Sequence, residues 1–116
     1  MTDIREQFIA LSEKKQHSEP KDYGELEGVM FRQLNTLEGE KLGQQYRTAA
    51  SDGKIEGITS SCLVRLICDE NGERVFKDSD VGIINNIAGC ITSEMLQDAL
   101  RYNGLIKTAV KEIKNS

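Results

Sequence analysis

The side chains best placed for chemistry cluster in one stretch, "CDENGERVFKDSDV", residues 68–81. Asp69, Asn71 and Glu73 carry oxygen ligands at alternate positions beside a glycine, which is the composition of a calcium loop. An EF-hand loop, however, needs an oxygen at its first position and a glycine at its sixth, where the chain turns sharply. Counting from Asp69 puts Arg74 sixth, and placing Gly72 sixth puts Ile67 first, where there is nothing to ligate. Both registers fail. The acids read instead as turn and cap chemistry. Asn71-Gly72 reverses the chain, Phe76 pins the returning segment to the core, and Asp78 to Asp80 begin the next helix.

Other chemistry finds less support. Cys62, Cys68 and Cys90 show no Cys-x-x-Cys spacing, and His17, the single histidine, lies in the polar stretch "KKQHSEPKD". A zinc site or a Cys–His pair would have to use that histidine, so the cysteines are expected to be small buried apolar residues. There is no Gly-x-Ser-x-Gly and no phosphate-binding Gly-x-x-x-x-Gly-Lys-[Ser/Thr]. Carboxylates are abundant, but no pair stands out for acid–base work. The expectation is a protein without catalytic activity, metal or cofactor.

The elements that position these residues come from a chain of 116 residues, 29 % charged and only 5 % aromatic, with no Trp. This length suits one domain with a modest, mostly aliphatic core. A net charge of −4 argues against a basic nucleic-acid-binding face. No apolar run approaches the roughly 18–20 residues needed to cross a bilayer, so no membrane association is expected. The opening "MTDIREQ" lacks the basic and apolar regions of a signal peptide, which points to the cytosol.

Along the chain, Thr2 or Asp3 caps a first helix whose Ile4, Phe8 and Leu11 share one face. A polar segment with Pro20 ends it. A weak strand at Lys21–Tyr23 and the alternation through "VMFRQLN" predict a small hairpin near residues 21–34. Asn35 or Thr36 then caps a helix with the stripe Leu42, Tyr46 and Ala49, closed by "SDGK" at 51–54. Residues 58–68, "ITSSCLVRLIC", are apolar on more than one side, and periodicity does not separate a buried helix from a strand. The N-caps offered by Thr59 and Ser60 favour the helix.

Asp78 or Ser79 caps a segment with Val81, Ile84, Ile87 and Ala88 at helical spacing, interrupted by Gly89. Thr92 or Ser93 restarts a helix carrying Met95, Leu96, Ala99, Leu100 and Tyr102, which Asn103-Gly104 stops. A last helix, "LIKTAVKEIKNS", has Ile106, Val110 and Ile113 on one stripe. That stripe can dock on the chain's own core or on another chain.

The run "CLVRLICDENGERVFKDSDVGIINNI…MLQDALRYNGL" resembles the tail assembly chaperones of long-tailed phages and prophages. The likeness lies in the order of parts: the apolar Leu63–Cys68, Asp69-Glu70-Asn71-Gly72 followed by Phe76, the acidic Asp78–Asp80, then Asn103-Gly104-Leu105. More loosely, "DIREQFIAL" matches the opening helix of that family and "EPKDYGELEGVMFRQLNTLEGEKL" its Pro-containing segment, strand and Glu-rich helix. The departures are "NNIAGCIT", where an uninterrupted polar connector is expected, and Tyr23, where many members carry Trp. The resemblance implies a factor of the host cytoplasm that binds the tape measure protein, helps recruit the major tail protein, self-associates, and is absent from the finished particle. It also implies the short form of a product that many members extend by ribosomal frameshifting.

The sequence thus predicts a mainly α, α+β fold: four to five packed helices and one small β-hairpin in a single domain over 1–116. The terminal helices at 1–15 and 105–116 are expected at its periphery. The candidate protein-binding residues are Ile4, Phe8, Leu11, Ile106, Val110 and Ile113. The rival reading is a small helical adaptor or regulatory domain that binds one folded partner.

Overall fold

At the centre of the structure is a helix, α3 (Ile58–Leu66), with Cys62, Leu63, Val64 and Leu66 all buried. The computed structural model describes residues 3–106. No residue of α3 is fully exposed, and only Ile58, Thr59, Ser61 and Arg65 are half-buried, so the helix has only a narrow outer line and its sequence lacks a clean amphipathic period. It passes directly into a short strand, β3 (Ile67–Cys68), so the apolar run 58–68 is a helix followed by a strand. Neither Thr59 nor Ser60 caps α3. The cap position falls two residues before Thr59, at Gly57, without a side-chain cap. Ser60 is buried instead, and its hydroxyl donates to Asn85.

The other described elements are α1 (Ile4–Ser12), β1 (Lys21–Tyr23), β2 (Leu26–Phe31), α2 (Thr36–Asp52), a 3-10 turn (Asp78–Asp80), α4 (Val81–Asn85) and α5 (Gly89–Tyr102). The fold is therefore mainly helical with a small antiparallel sheet. That sheet is larger than the predicted hairpin. Its order is β1-β2-β3, with Lys21 opposite Val29 on one edge of β2, and Met30 opposite Cys68 and Phe31 opposite Ile67 on the other. Tyr23 and Phe31 turn inward and meet edge to face, ring centroids 6.1 Å apart.

α2 forms where expected. Asn35 accepts from the Glu38 backbone N–H at 2.8 Å, and Glu38 accepts from the Asn35 backbone N–H at 3.2 Å, a reciprocal capping box. The Lys54 N–H returns to the Ala49 carbonyl at the other end. α5 begins at Gly89 rather than at Thr92 or Ser93. Thr92 lies within its first turn and spends its hydroxyl on the Gly89 carbonyl. The inward stripe Thr92, Met95, Leu96, Ala99, Leu100 packs on α3, while Tyr102 is exposed.

Polar contacts at three places lock these layers. Arg32 and Arg74 donate to the Arg65 and Val64 carbonyls at the C-terminal end of α3, where cationic donors satisfy orphan acceptors and oppose the helix dipole. Asn103 does more than stop α5. Its Oδ1 accepts from the Leu34 N–H at 2.8 Å, and its amide nitrogen donates to the Arg32 and Ala99 carbonyls. Asp98 accepts from the buried Tyr23 hydroxyl at 2.6 Å and from Lys21 Nζ at 2.8 Å, tying the first strand to the last described helix.

Candidate protein-docking surface

The turn that suggested a metal is occupied by its own backbone. One Asp69 carboxylate oxygen accepts from the Asn71 and Glu73 N–H groups at 2.8 and 3.1 Å. The Asp69 N–H and the Glu73 carbonyl close the reversal at 2.9 Å. Gly72 sits at φ 77° against the Lys15 backbone, where a Cβ would come within 3.2 Å of the Lys15 carbonyl oxygen. Position 72 therefore combines a left-handed conformation with a close approach that only glycine accommodates. Phe76 packs against the core as the returning segment leaves the turn. Arg74, two residues before it, pairs with Asp78 at 2.7 Å and holds that carboxyl below its usual range. Among the described residues no group of three His, Cys, Asp or Glu side chains is gathered to hold a metal.

His17 is held between backbone carbonyls, Nδ1 at 2.8 Å from Ser18 and Nε2 at 3.0 Å from Glu70. Cys62 and Cys68 are buried, and burial pushes both thiols up to about 11, away from the reactive thiolate. Cys90 departs from the expectation: it lies in the first turn of α5 and is exposed. An open notch between α2 and α3 is lined by a mixture such as Lys41, Gln45, Asp52, Ile58 and Ser61, without a convergent pair of titratable groups.

The unusual surface is α1. Asp3 caps it, accepting from the Glu6 N–H at 2.8 Å, and no residue of the helix is buried. Ile4, Phe8 and Leu11 are 66, 70 and 62 % exposed, so the face the heptad-like spacing builds is presented to the outside. Residues 16–18 run beside 31–33, with the Gln33 N–H on the Gln16 carbonyl and the Ser18 N–H on the Phe31 carbonyl, each at 2.8 Å. This pairing anchors α1 opposite the segment that leads into α2. Between them lies an open groove of about 1210 Å³, lined by Ile4, Phe8, Leu11 and Leu34 among others.

The six candidate binding residues thus separate. Ile4, Phe8 and Leu11 come together as one exposed wall. Ile106 is half-buried and packs on the core, which removes it from an open docking face. Val110 and Ile113 lie outside the described residues, as does most of the predicted last helix. Two apolar residues near the groove escaped the sequence reading: Leu34 in its wall and the exposed Leu37 just beyond Thr36. The available signal was an apolar residue on either side of the cap Asn35. No described helix is long and apolar enough to cross a membrane. The fold and surface define a small α+β protein presenting an apolar helix face. Compared with known proteins, the chain matches no family model, no curated protein and no solved structure.

Proposed function

We propose that this protein is a tail assembly chaperone of a long-tailed phage or prophage, acting in the host cytoplasm. It binds the tape measure protein, shields its apolar helices, and helps recruit the major tail protein through reversible contacts without catalysis or a cofactor. The observation that carries the reading is α1, a nine-residue helix with no buried residue. Isolated helices shorter than roughly 12–15 residues are marginal in water, so α1 gains most of its stability from whatever covers Ile4, Phe8 and Leu11. An apolar helix laid in the adjoining groove is the ligand such a wall accommodates. The family-like order of the 69–80 turn and the Asn103-Gly104-Leu105 stop supports the assignment.

Co-expression with a candidate tape measure protein tests it. The tape measure protein is expected to be soluble and to co-purify with the wild-type chain. With Phe8→Asp it is expected to precipitate, although the variant keeps its own circular dichroism spectrum. A tape measure protein equally soluble alone would sink the reading. Co-purification of one folded host protein in its place favours the adaptor.

A further inference from the structure

We propose that Asn71 is a self-modification site, an asparagine that the folded chain converts to aspartyl and isoaspartyl residues, while the matching pair Asn103-Gly104 is protected. In this reaction the Gly72 backbone nitrogen gives up its proton and attacks Cγ of the Asn71 side chain. The Cγ–Nδ2 bond breaks, ammonia leaves with that proton, and a succinimide ring remains. Water, the co-reactant, then opens the ring at either carbonyl. One opening gives aspartate; the other gives isoaspartate, in which the main chain runs through the former side chain.

The chain holds two Asn-Gly pairs, 71–72 and 103–104. Glycine, having no Cβ, shields the attacking nitrogen least. The other described asparagines, Asn35, Asn85 and Asn86, precede Thr36, Asn86 and Ile87, which carry side chains. The two glycine nitrogens are held alike. The Gly72 N–H donates to the Asp69 carbonyl and the Gly104 N–H to the Arg101 carbonyl, each at 3.0 Å. The asparagine side chains differ. Asn103 accepts from the Leu34 N–H and donates to the Arg32 and Ala99 carbonyls, so attack there waits for all of these bonds to break. Asn71 is exposed, and no described residue bonds its side chain. Only the turn itself has to loosen.

The place of the modification gives it a consequence. Residue 71 lies between two points where the turn supports the segment behind α1. His17 Nε2 meets the Glu70 carbonyl at 3.0 Å on one side, and Gly72 lies against the Lys15 backbone on the other. An isoaspartate lengthens the main chain between those points and displaces Gly72 from its seat. A loss of tape measure binding with age follows from this, and that consequence alone rests on the chaperone reading.

The full-length chain, kept in warm and mildly alkaline buffer with and without denaturant, tests the reaction. Peptide mass mapping follows the conversion of amide to acid at both positions. Relative to its own rate in denaturant, Asn103 is expected to be slowed at least about tenfold more than Asn71 by the native structure. Equal slowing, greater slowing at Asn71, or an Asn71 left intact in the native chain overturns the proposal. Asn71→Asp carries the new charge on an unaltered main chain and isolates the effect of the isoaspartate. Amide exchange at Gly72 and Glu73 is expected to be faster in the aged, isoaspartyl chain than in Asn71→Asp. Equal exchange refutes the displacement of Gly72.

Discussion

Asp98 carries more interactions than its surface position suggests. Burial alone would raise its pKa, but the bonds from Lys21 and Tyr23 and the nearby Arg101 hold its carboxyl below the usual range. The Tyr23 hydroxyl moves the opposite way, driven up by burial and by its bond to the Asp98 carboxylate. A carboxyl depressed in the folded state stabilises the fold above its unfolded value, and that contribution disappears as pH falls through the folded value. Replacing Asp98 by Ala is expected to cost about 1–3 kcal/mol at neutral pH, because a buried phenol loses a charged acceptor. The gap between variant and wild type is expected to close below about pH 4. Thermal melts of both chains from neutral pH to acid read this directly, and a constant gap would show that the carboxylate charge is not involved. The links to the first strand were not legible in the sequence, where Asp98 is one carboxylate among 19 acidic residues and Lys21 and Tyr23 lie more than seventy positions away.

At the scale of elements, local chemistry and tertiary packing divide the work. Two of the helix starts read from a capping side chain, and the stop at Asn103-Gly104, came out where the sequence put them. Asp3 and Asn35 cap α1 and α2, and Gly104 takes φ 71° behind α5 with the paired returns of its own N–H and that of Leu105. The caps read at Thr59 or Ser60, Asp78 or Ser79, and Thr92 or Ser93 did not form; before α4 it is Asp80 that reaches back, accepting from the Lys77 N–H. α3 and α5 start behind Gly57 and Ala88 with no side-chain cap, because buried contacts on their inner faces set where they begin. Asn103 shows both levels in one residue: a stop signal in sequence, and a clamp across to 32–34 in space. Asn103→Ala is expected to lower stability by about 2 kcal/mol, mainly by releasing segment 32–34 from α5. Amide exchange at Leu34 is expected to accelerate more than exchange in α2. Equal acceleration everywhere would mean that the clamp is no more local than any core contact.

The whole molecule is organised around α3, which touches the sheet through β3, α5 through its apolar stripe, and α4 through Ser60 and Asn85. Leu63 is fully buried there. Leu63→Ala is expected to cost about 3–5 kcal/mol, the range for a leucine truncated where neighbours cannot collapse. That is a large share of the roughly 5–15 kcal/mol of a small domain. In urea titrations the midpoint is expected to fall with an unchanged slope; a broadened or two-step transition would show that the helical layer and the sheet unfold separately. α1 stands apart from this unit, with no residue buried. Its face has the periodicity of a core-facing helix and occupies the surface.

The sequence by itself determined what depends on neighbours along the chain: the helical periods, the capping box and the Asn71-Gly72 reversal. It also carried the mainly helical class with a small β element. Only the tertiary structure decided the questions that depend on residues far apart. Ile67–Cys68 become a strand because Met30 and Phe31 are there to pair with them. Cys90 is exposed because the start of α5 faces outward. Equal apolar stripes can end in a core or at a surface, since periodicity records that a face needs cover and not what covers it. The stripe of α5 is buried on α3, while that of α1 lies open beside Leu34.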